Sequence, residues 1–243
     1  MTDGDAALVI VPTYNERGSI GEVVERLFAV CPAGVELLVV DDASPDGTAG
    51  VVRDVAGSND RIHLIERPSK LGLGTAYVTG FQWAIARGYR AVVEMDGDLS
   101  HDPADVPRLL TALDDADLVV GSRYVPGGGV GNWGRARRLL SRGGNLYARA
   151  WLGFGVRDST SGFRAYRIAA LTEQALTGVS SEGYAFQIEM TRRLHRAGRR
   201  IVEVPITFVE RRTGSSKMNR TIVVEAIMRV TAWGLRDRLL RRG

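Results

Sequence analysis

The stretch Ala91-Val92-Val93-Glu94-Met95-Asp96-Gly97-Asp98 decides how this chain is read. An apolar run of strand length stops in two carboxylates separated by a glycine. The turn Leu99-Ser100-His101-Asp102-Pro103 follows, and then a helical pattern. In open α/β sheets the C-terminal ends of buried strands face the crevice where ligands bind. Two anionic oxygen ligands placed there suit a hard divalent cation, and such a cation commonly brings phosphates with it. Gly97 lets a backbone or ligand come close. Paired acids in a turn are common in themselves; it is the clean strand before them that gives this pair weight.

Working outward, strands and helices alternate. Residues 6–11 form a short apolar strand, followed by Pro12-Thr13-Tyr14-Asn15-Glu16, and Ser19 opens a helix with Ile20, Val23, Val24 and Leu27 on one face. Residues 35–40 are a second strand, closed by Asp41-Asp42-Ala43-Ser44-Pro45-Asp46-Gly47-Thr48 and a helix to about residue 56. Residues 62–65, 91–95 and 117–120 read as further strands, and 74–87 as a helix. Asp102 is placed as an N-cap before Pro103 in a first turn. This alternation predicts a doubly wound, mostly parallel α/β sheet with helices on both faces, in a single domain.

The second half is less regular. Residues 137–152 and 184–196 are expected to be helices, with Asp158–Arg164 packing polar groups between helical segments. Residues 201–208 are expected to form one strand and 222–240 an amphipathic helix. Residues 1–220 are expected to make the main domain and 221–243 a basic C-terminal helix, part of it or peripheral to it. Gly127-Gly128-Gly129, with Gly131 and Gly134, marks either a mobile loop or a passive connector.

With 44% hydrophobic and 25% charged residues in 243, the chain has an ordinary globular composition. The single Cys31 excludes internal disulfides, fits a reducing compartment and reads as a small core residue. The start of the chain enters a strand too soon for a signal peptide, and no apolar run approaches the roughly 20 residues that span a bilayer. Arginines cluster at Arg135, Arg137, Arg138 and Arg142, at Arg211 and Arg212, and at Arg236, Arg238, Arg241 and Arg242. Such clusters suit phosphates, nucleic acid or an anionic membrane; solvated helix faces are the plain alternative. No G-x-G-x-x-G follows the first strand and no phosphate-binding G-x-x-x-x-G-K-[ST] occurs. Gly72-Leu73-Gly74 reads as a helix start rather than a ligand loop.

Together, Val11-Pro12-Thr13-Tyr14-Asn15-Glu16, the segment from Asp41 to Thr48, Lys70-Leu71-Gly72-Leu73-Gly74, Met95-Asp96-Gly97-Asp98-Leu99-Ser100-His101 and Gly121-Ser122-Arg123-Tyr124 resemble a GT-A glycosyltransferase. More narrowly, the chain resembles the catalytic domain of dolichyl- or polyprenyl-phosphate mannose synthases. Arg137-Arg138-Leu139-Leu140-Ser141-Arg142-Gly143-Gly144-Asn145, Asp158 to Arg164, and Glu210-Arg211-Arg212-Thr213-Gly214-Ser215-Ser216-Lys217 strengthen this, and the resemblance runs from about residue 6 to 220.

The resemblance implies a donor site at Pro12, Tyr14, Glu16 and Asp42, with Asp41 open to a purely structural role. It implies Mg²⁺ or Mn²⁺ on Asp96 and Asp98, with Gly97 between them and Ser100 as a weaker hydroxyl ligand. Arg123, Arg137 and Ser141 match acceptor-phosphate positions; Arg211 and Lys217 match a basic loop over the diphosphate. Packing or capping stays open for Tyr14 and Ser141, and solvated charge for Arg211 and Lys217. The implied reaction moves mannose from GDP-mannose to a polyprenyl phosphate with inversion. The same fold using UDP-glucose, or a degenerate fold binding an anionic surface, are the alternatives.

A lipid phosphate is already anionic, so catalysis needs positioning and charge and no strong base. The scattered His63, His101 and His195 agree. Partners are then a nucleotide sugar, polyprenyl phosphate and a membrane surface, reached directly or through a membrane-anchored protein, with no nucleic acid. The place is cytoplasmic, at the inner face of the membrane. Val223, Ile227, Val230 and Trp233, with Arg229 and the terminal arginines, make the C-terminal helix a candidate membrane contact, or a stripe packed on the domain.

Overall fold

The computed structural model describes residues 6–179, 181, 183–210 and 220–240. In chain order the elements are β1 (Ala7–Thr13), α1 (Ile20–Val30), β2 (Val35–Asp41), α2 (Thr48–Ala56), β3 (Ile62–Glu66), α3 (Leu73–Ala86), β4 (Ala91–Glu94), α4 (Val106–Ala112) and β5 (Leu118–Ser122). There follow β6 (Gly129–Val130), α5 (Arg135–Leu152), β7 (Arg164–Arg167), α6 (Glu173–Leu176), α7 (Gly183–Arg196), β8 (Ile201–Pro205), β9 (Thr207–Phe208) and α8 (Arg220–Leu240).

Seven strands form the main sheet in the order β3-β2-β1-β4-β7-β5-β8, and β6 pairs with β9 beside it. All neighbours in the main sheet are parallel except those of β7. The runs Val9-Ile10-Val11, Leu37 to Val40 and Val119-Val120 are fully buried, as a sheet covered on both faces requires. One core layer joins the sheet to α1, α2 and α4; the other joins it to α3, α5, α7 and α8. The doubly wound sheet expected from the sequence is therefore present, with element ends shifted by a residue or two. Asp102 caps the turn at Pro103, its carboxylate accepting the Ala104 N–H at 3.1 Å.

Four expectations are corrected. The segment after Asp158 does not simply join helices: Arg164–Arg167 is the antiparallel strand β7, hydrogen-bonded between β4 and β5. Its charged ends hid it. The Arg164 guanidinium is fully buried and donates to the carbonyls of Ser159, Ser161 and Gln187 and to the Thr191 hydroxyl. The single strand expected over 201–208 is two strands. Pro205 has no N–H to give, Ile206 turns into the core while donating to the Ser122 carbonyl at 3.0 Å, and β9 leaves to pair with β6.

The glycine run is neither a free loop nor a passive link. A Cβ on Gly128 would sit 2.5 Å from the Ser122 carbonyl oxygen, so only glycine fits, and Gly129 begins β6. Lastly, α8 is not one-sided. Val230 is buried and Trp233 packs on the domain, while Val224, Ile227, Met228, Leu235 and Leu239 are exposed. The helix docks through Asp237, paired to Arg192 and Arg196, and through Tyr147 Oη to Thr231 Oγ1 at 2.6 Å. It thus belongs to the same packed unit as α5 and α7. No described helix is long and apolar enough to cross a membrane.

Candidate active site

The loops after β1, β2 and β4 leave the same edge of the sheet. Each turns through a non-glycine residue at positive φ: Asn15 (61°), Ala43 (53°) and Leu99 (62°). Such conformations persist only where surroundings enforce them, and they gather at ligand sites. Because β7 runs antiparallel, its N-terminal end and the 158–163 segment before it reach that edge as well.

Around the residues expected to meet the donor, the acids are hydrogen-bonded within the protein. Asp41 accepts from the Thr13 hydroxyl (2.8 Å), the Ser44 hydroxyl (2.6 Å) and the Ser44 N–H (2.9 Å), which is the structural role left open for it. Asp42, assigned to the donor, accepts from Arg67 Nε and from the N–H groups of Leu71 and Gly72 at 3.2 and 3.0 Å. Arg67 also donates to the Thr75 hydroxyl and the Gly72 carbonyl, both at 2.7 Å. This buried cluster ties the 70–72 turn to the end of β2. It brings the Lys70 ammonium 3.9 Å from the centroid of the Tyr14 ring. Glu16 joins β1 to α2, its N–H donating to Thr48 Oγ1 at 3.0 Å and its carboxylate accepting from Ser19. Pro12 is half-buried in β1, and Gly72 starts α3 as its motif indicated.

Asp96 and Asp98 line a polar cavity of about 180 Å³ with His101, Arg123, Arg137, Thr160, Tyr184 and Glu210 among its walls. A Cβ on Gly97 would come within 3.1 Å of Val11, so the turn presses against β1. Asp98 Oδ1 accepts the Ser100 N–H at 3.0 Å, which folds the turn back on itself. His101 is buried, stacked on Phe163, and its Nδ1 accepts the Asp96 N–H at 3.1 Å. Burial holds its pKa below the ordinary histidine value, against the pull of Asp96, so the neutral ring accepts at Nδ1 and keeps its proton on Nε2.

The donor chemistry is of the kind a divalent cation takes. Two carboxylates line the cavity, and the buried Ser100 Oγ, between Asp98 and His101 in sequence, has no hydrogen-bond partner among the described residues. Among the described residues no group of three or more His, Cys, Asp or Glu is placed to hold a metal, so phosphate oxygens would have to complete the shell.

Of the residues matched to acceptor-phosphate positions, Arg123 is held by its own neighbours. It is bound twice through its side chain to buried Asp158, at 2.7 and 2.6 Å, and to Thr160 Oγ1 at 2.9 Å. Burial opposes its charge, but Asp158 outweighs this and raises its pKa. Arg137 lies over the Trp133 ring at 4.2 Å and pairs with Glu210 at 2.5 Å. Ser141, one turn along α5, accepts from Tyr124 Oη at 2.7 Å. Asn145 links this helix to the 158–162 turn, donating to Thr160 Oγ1 and accepting from Ser159 Oγ. Arg211 and Lys217 lie outside the described residues.

A second cavity of about 580 Å³ adjoins the first and shares Arg123, Trp133, Arg137, Thr160 and Tyr184 with it. It is an apolar groove between α5 and α8, walled by Leu139, Leu140, Tyr147, Ile188, Ile227 and Val230. Sequence reasoning missed the wall residues Trp133, Thr160, Tyr184 and Phe208 and the supporting residues Arg67 and Asp158. They stand in segments with no motif of their own, or inside a motif whose role was unassigned. The one usable signal was Asp158, an acid in a polar turn opposite an arginine motif.

The geometry matches known proteins. Residues 8–174 match the model of "Glycosyl transferase family 2". The chain is 50% identical over 236 residues to polyprenol monophosphomannose synthase of Mycolicibacterium smegmatis, covering 96% of this chain and 89% of that protein. It is 50% identical over 231 residues to undecaprenyl-phosphate mannosyltransferase of Micrococcus luteus, covering 95% of each. Among solved structures, glucosyl-3-phosphoglycerate synthase of Mycobacterium tuberculosis superposes with a TM-score of 0.69 at 22% identity, over 94% of this chain and 80% of that one. A mannosyltransferase of Pyrobaculum calidifontis, in complex with GDP-Man and Mn²⁺, superposes at 0.67 and 22% identity over 95% and 64%. Those two share the fold. With the family model spanning most of the chain and two relatives at half identity along nearly all of it, this chain belongs to glycosyl transferase family 2.

Proposed function

We propose that this chain transfers mannose from GDP-mannose to the phosphate of a polyprenyl phosphate, with inversion at the anomeric carbon. The observation that carries the reading is the direct meeting of two unlike cavities at Arg123, Arg137 and Thr160. One is polar and acidic, fit for a sugar diphosphate; the other is an apolar groove, fit for a hydrocarbon chain whose phosphate sits at the junction. Names of the two close relatives point to the same acceptor class.

Asp96 and Asp98, with Ser100, would hold Mg²⁺ or Mn²⁺, which when bound supplies positive charge to the donor diphosphate. Tyr14, Pro12 and Glu16, and Asp42 through the turn it fixes, shape the nucleoside end. Arg137 donates to the acceptor phosphate and Ser141, on the same face of α5, completes its cradle. Arg123, held by Asp158, fixes the wall between the two cavities. An acceptor oxygen, anionic near neutrality, forms a bond to C1 of mannose as the bond from C1 to the donor phosphate oxygen breaks. The electron pair leaves on GDP. No proton has to be removed, consistent with the absence of a free base among the cavity's described residues beyond its carboxylates and neutral His101.

The acceptor tail stays in a bilayer, so the groove must open toward one. On α5, Leu139 and Leu146 are 76% and 64% exposed beside Arg135, Arg138, Arg142 and Arg149. On α8, Met228 and Leu239 are 60% and 72% exposed, on one face with Val224 and Leu235, flanked by Arg229, Arg236 and Arg238. Apolar stripes edged with arginine are the pattern of helices lying on an anionic surface, and support a peripheral location at the membrane. The test is a donor screen with farnesyl or polyprenyl phosphate and Mn²⁺. Labelled lipid from GDP-mannose, with its anomeric configuration inverted, is expected; transfer only from UDP-glucose, or from no nucleotide sugar, overturns the assignment.

A further inference from the structure

We infer that Glu210 is a charge filter on the acceptor: its carboxylate pairs with Arg137 and favours a monophosphate over a diphosphate there. This rests on the acceptor reading of Arg137 above. Glu210 lies in the wall of the polar cavity with Asp96 and Asp98. It is not placed as a third metal ligand, since no such three-residue group occurs among the described residues. Its polar partner among them is Arg137, whose Nη1 is 2.5 Å from Glu210 Oε1.

The pairing is held from both ends. The Val209 N–H donates to the Ser100 carbonyl at 3.1 Å, which anchors the chain next to Glu210 on the metal turn. On the other side Trp133 supports the Arg137 guanidinium from below. Phe208 packs edge-on against both Trp133 and His101, so the wall from β9 to α5 is continuous. A ligand phosphate that takes Arg137 must therefore displace or share a carboxylate that cannot drift far.

The cost of doing so rises with the ligand's own charge, because like charges repel in proportion to their product. A polyprenyl diphosphate differs from the monophosphate chiefly in carrying more negative charge on the same tail. The groove cannot tell them apart; Glu210 can. Side chains of the pair are 22% and 41% exposed, so solvent weakens the effect without removing it.

Calorimetric titration of the full chain with farnesyl phosphate and farnesyl diphosphate tests this, in Glu210→Gln, Glu210→Asp and Arg137→Ala. Glu210→Gln is expected to tighten the monophosphate about fivefold and the diphosphate about twentyfold, shrinking the preference between them. Glu210→Asp, which keeps the charge, is expected to retain the native preference. Equal tightening of both probes by Glu210→Gln, or none, overturns the filter. Farnesyl phosphate binding that survives Arg137→Ala breaks the acceptor-site reading itself, whereas binding lost there but unmoved in Glu210→Gln breaks only the filter.

Discussion

The two halves of the site are built in opposite ways. The donor half, around the ends of β1, β2 and β4, meets its own polar groups internally. Asp41 and Asp42 each accept several hydrogen bonds, and buried Arg67 closes the 70–72 turn. The acceptor half, on α5 and α8, leaves large apolar side chains and arginines uncovered beside a groove. A nucleotide diffuses in from water and rewards a preformed polar cradle. A lipid phosphate stays in its bilayer, so the surface that meets it has to be apolar and basic at once. The halves should accordingly fail independently.

The largest expected effect is on the donor side. Asp96→Asn and Asp98→Asn should each lower kcat at least about a hundredfold, since both carboxylates are assigned to the same cation. Calorimetry should show weakened Mn²⁺-dependent GDP binding in these variants while their vesicle binding is unchanged. Near-native turnover of both in saturating Mn²⁺ would remove the metal from Asp96 and Asp98 and dissolve the donor half as drawn.

The converse change is smaller. Leu146→Ser together with Leu239→Ser should weaken sedimentation with anionic vesicles about tenfold, from two lost apolar insertions. GDP binding should stay at the native value. High salt should weaken native vesicle binding as well, through the flanking arginines. If the double variant binds vesicles like the native chain, a separate membrane-anchored partner recruits the protein and the comparison loses its physical basis.

The smallest effect sharpens the contrast between a satisfied donor half and the strand beneath it. Burial pushes the Glu94 carboxyl up to about 7, with Arg164 partly countering it. Gln187 and Tyr166 counter it as well, though among the described residues neither Glu94 oxygen makes a hydrogen bond of good geometry. The folded chain thus keeps a proton that the unfolded chain releases near its ordinary value of 4.5. That contribution is fully present below about 4.5 and is lost as pH rises to about 7. Glu94→Gln removes the titration. Its Tm should gain on the native protein between pH 5 and pH 8 by a few degrees. A difference in Tm that is flat with pH means Glu94 is already paired in solution.

Most of the donor half was legible in the chain because its groups sit in short local segments. Apolar strands ending in Pro12–Glu16, Asp41–Thr48 and Asp96–Asp98 place their polar residues at one sheet edge by topology alone. Even there the sequence assigned Asp42 to a ligand, and only the packed turn shows Arg67, Leu71 and Gly72 already on its carboxylate. β7 was illegible because a strand with arginine at both ends has no apolar signature. Its burial depends on carbonyls of the adjoining 159–161 turn and on α7, which lies 23 residues further along the chain at Gln187.

The chain by itself determined the doubly wound sheet and the acidic edge, through strand periodicity and the carboxylates that follow β4. It left open whether the stripe of Val223, Ile227, Val230 and Trp233 meets a membrane or packs on the domain. Val230 and Trp233 turn inward, whereas Ile227 is exposed, as are Val224, Met228, Leu235 and Leu239. A helix apolar on two faces carries no record of which face its neighbours will cover. Docking of Asp237 between Arg192 and Arg196, and of Thr231 on Tyr147, fixes that rotation. The same packing of α8 against α5 makes the groove and sets Arg137 at its mouth. These contacts join residues 41 to 84 positions apart, so only the tertiary structure decided them.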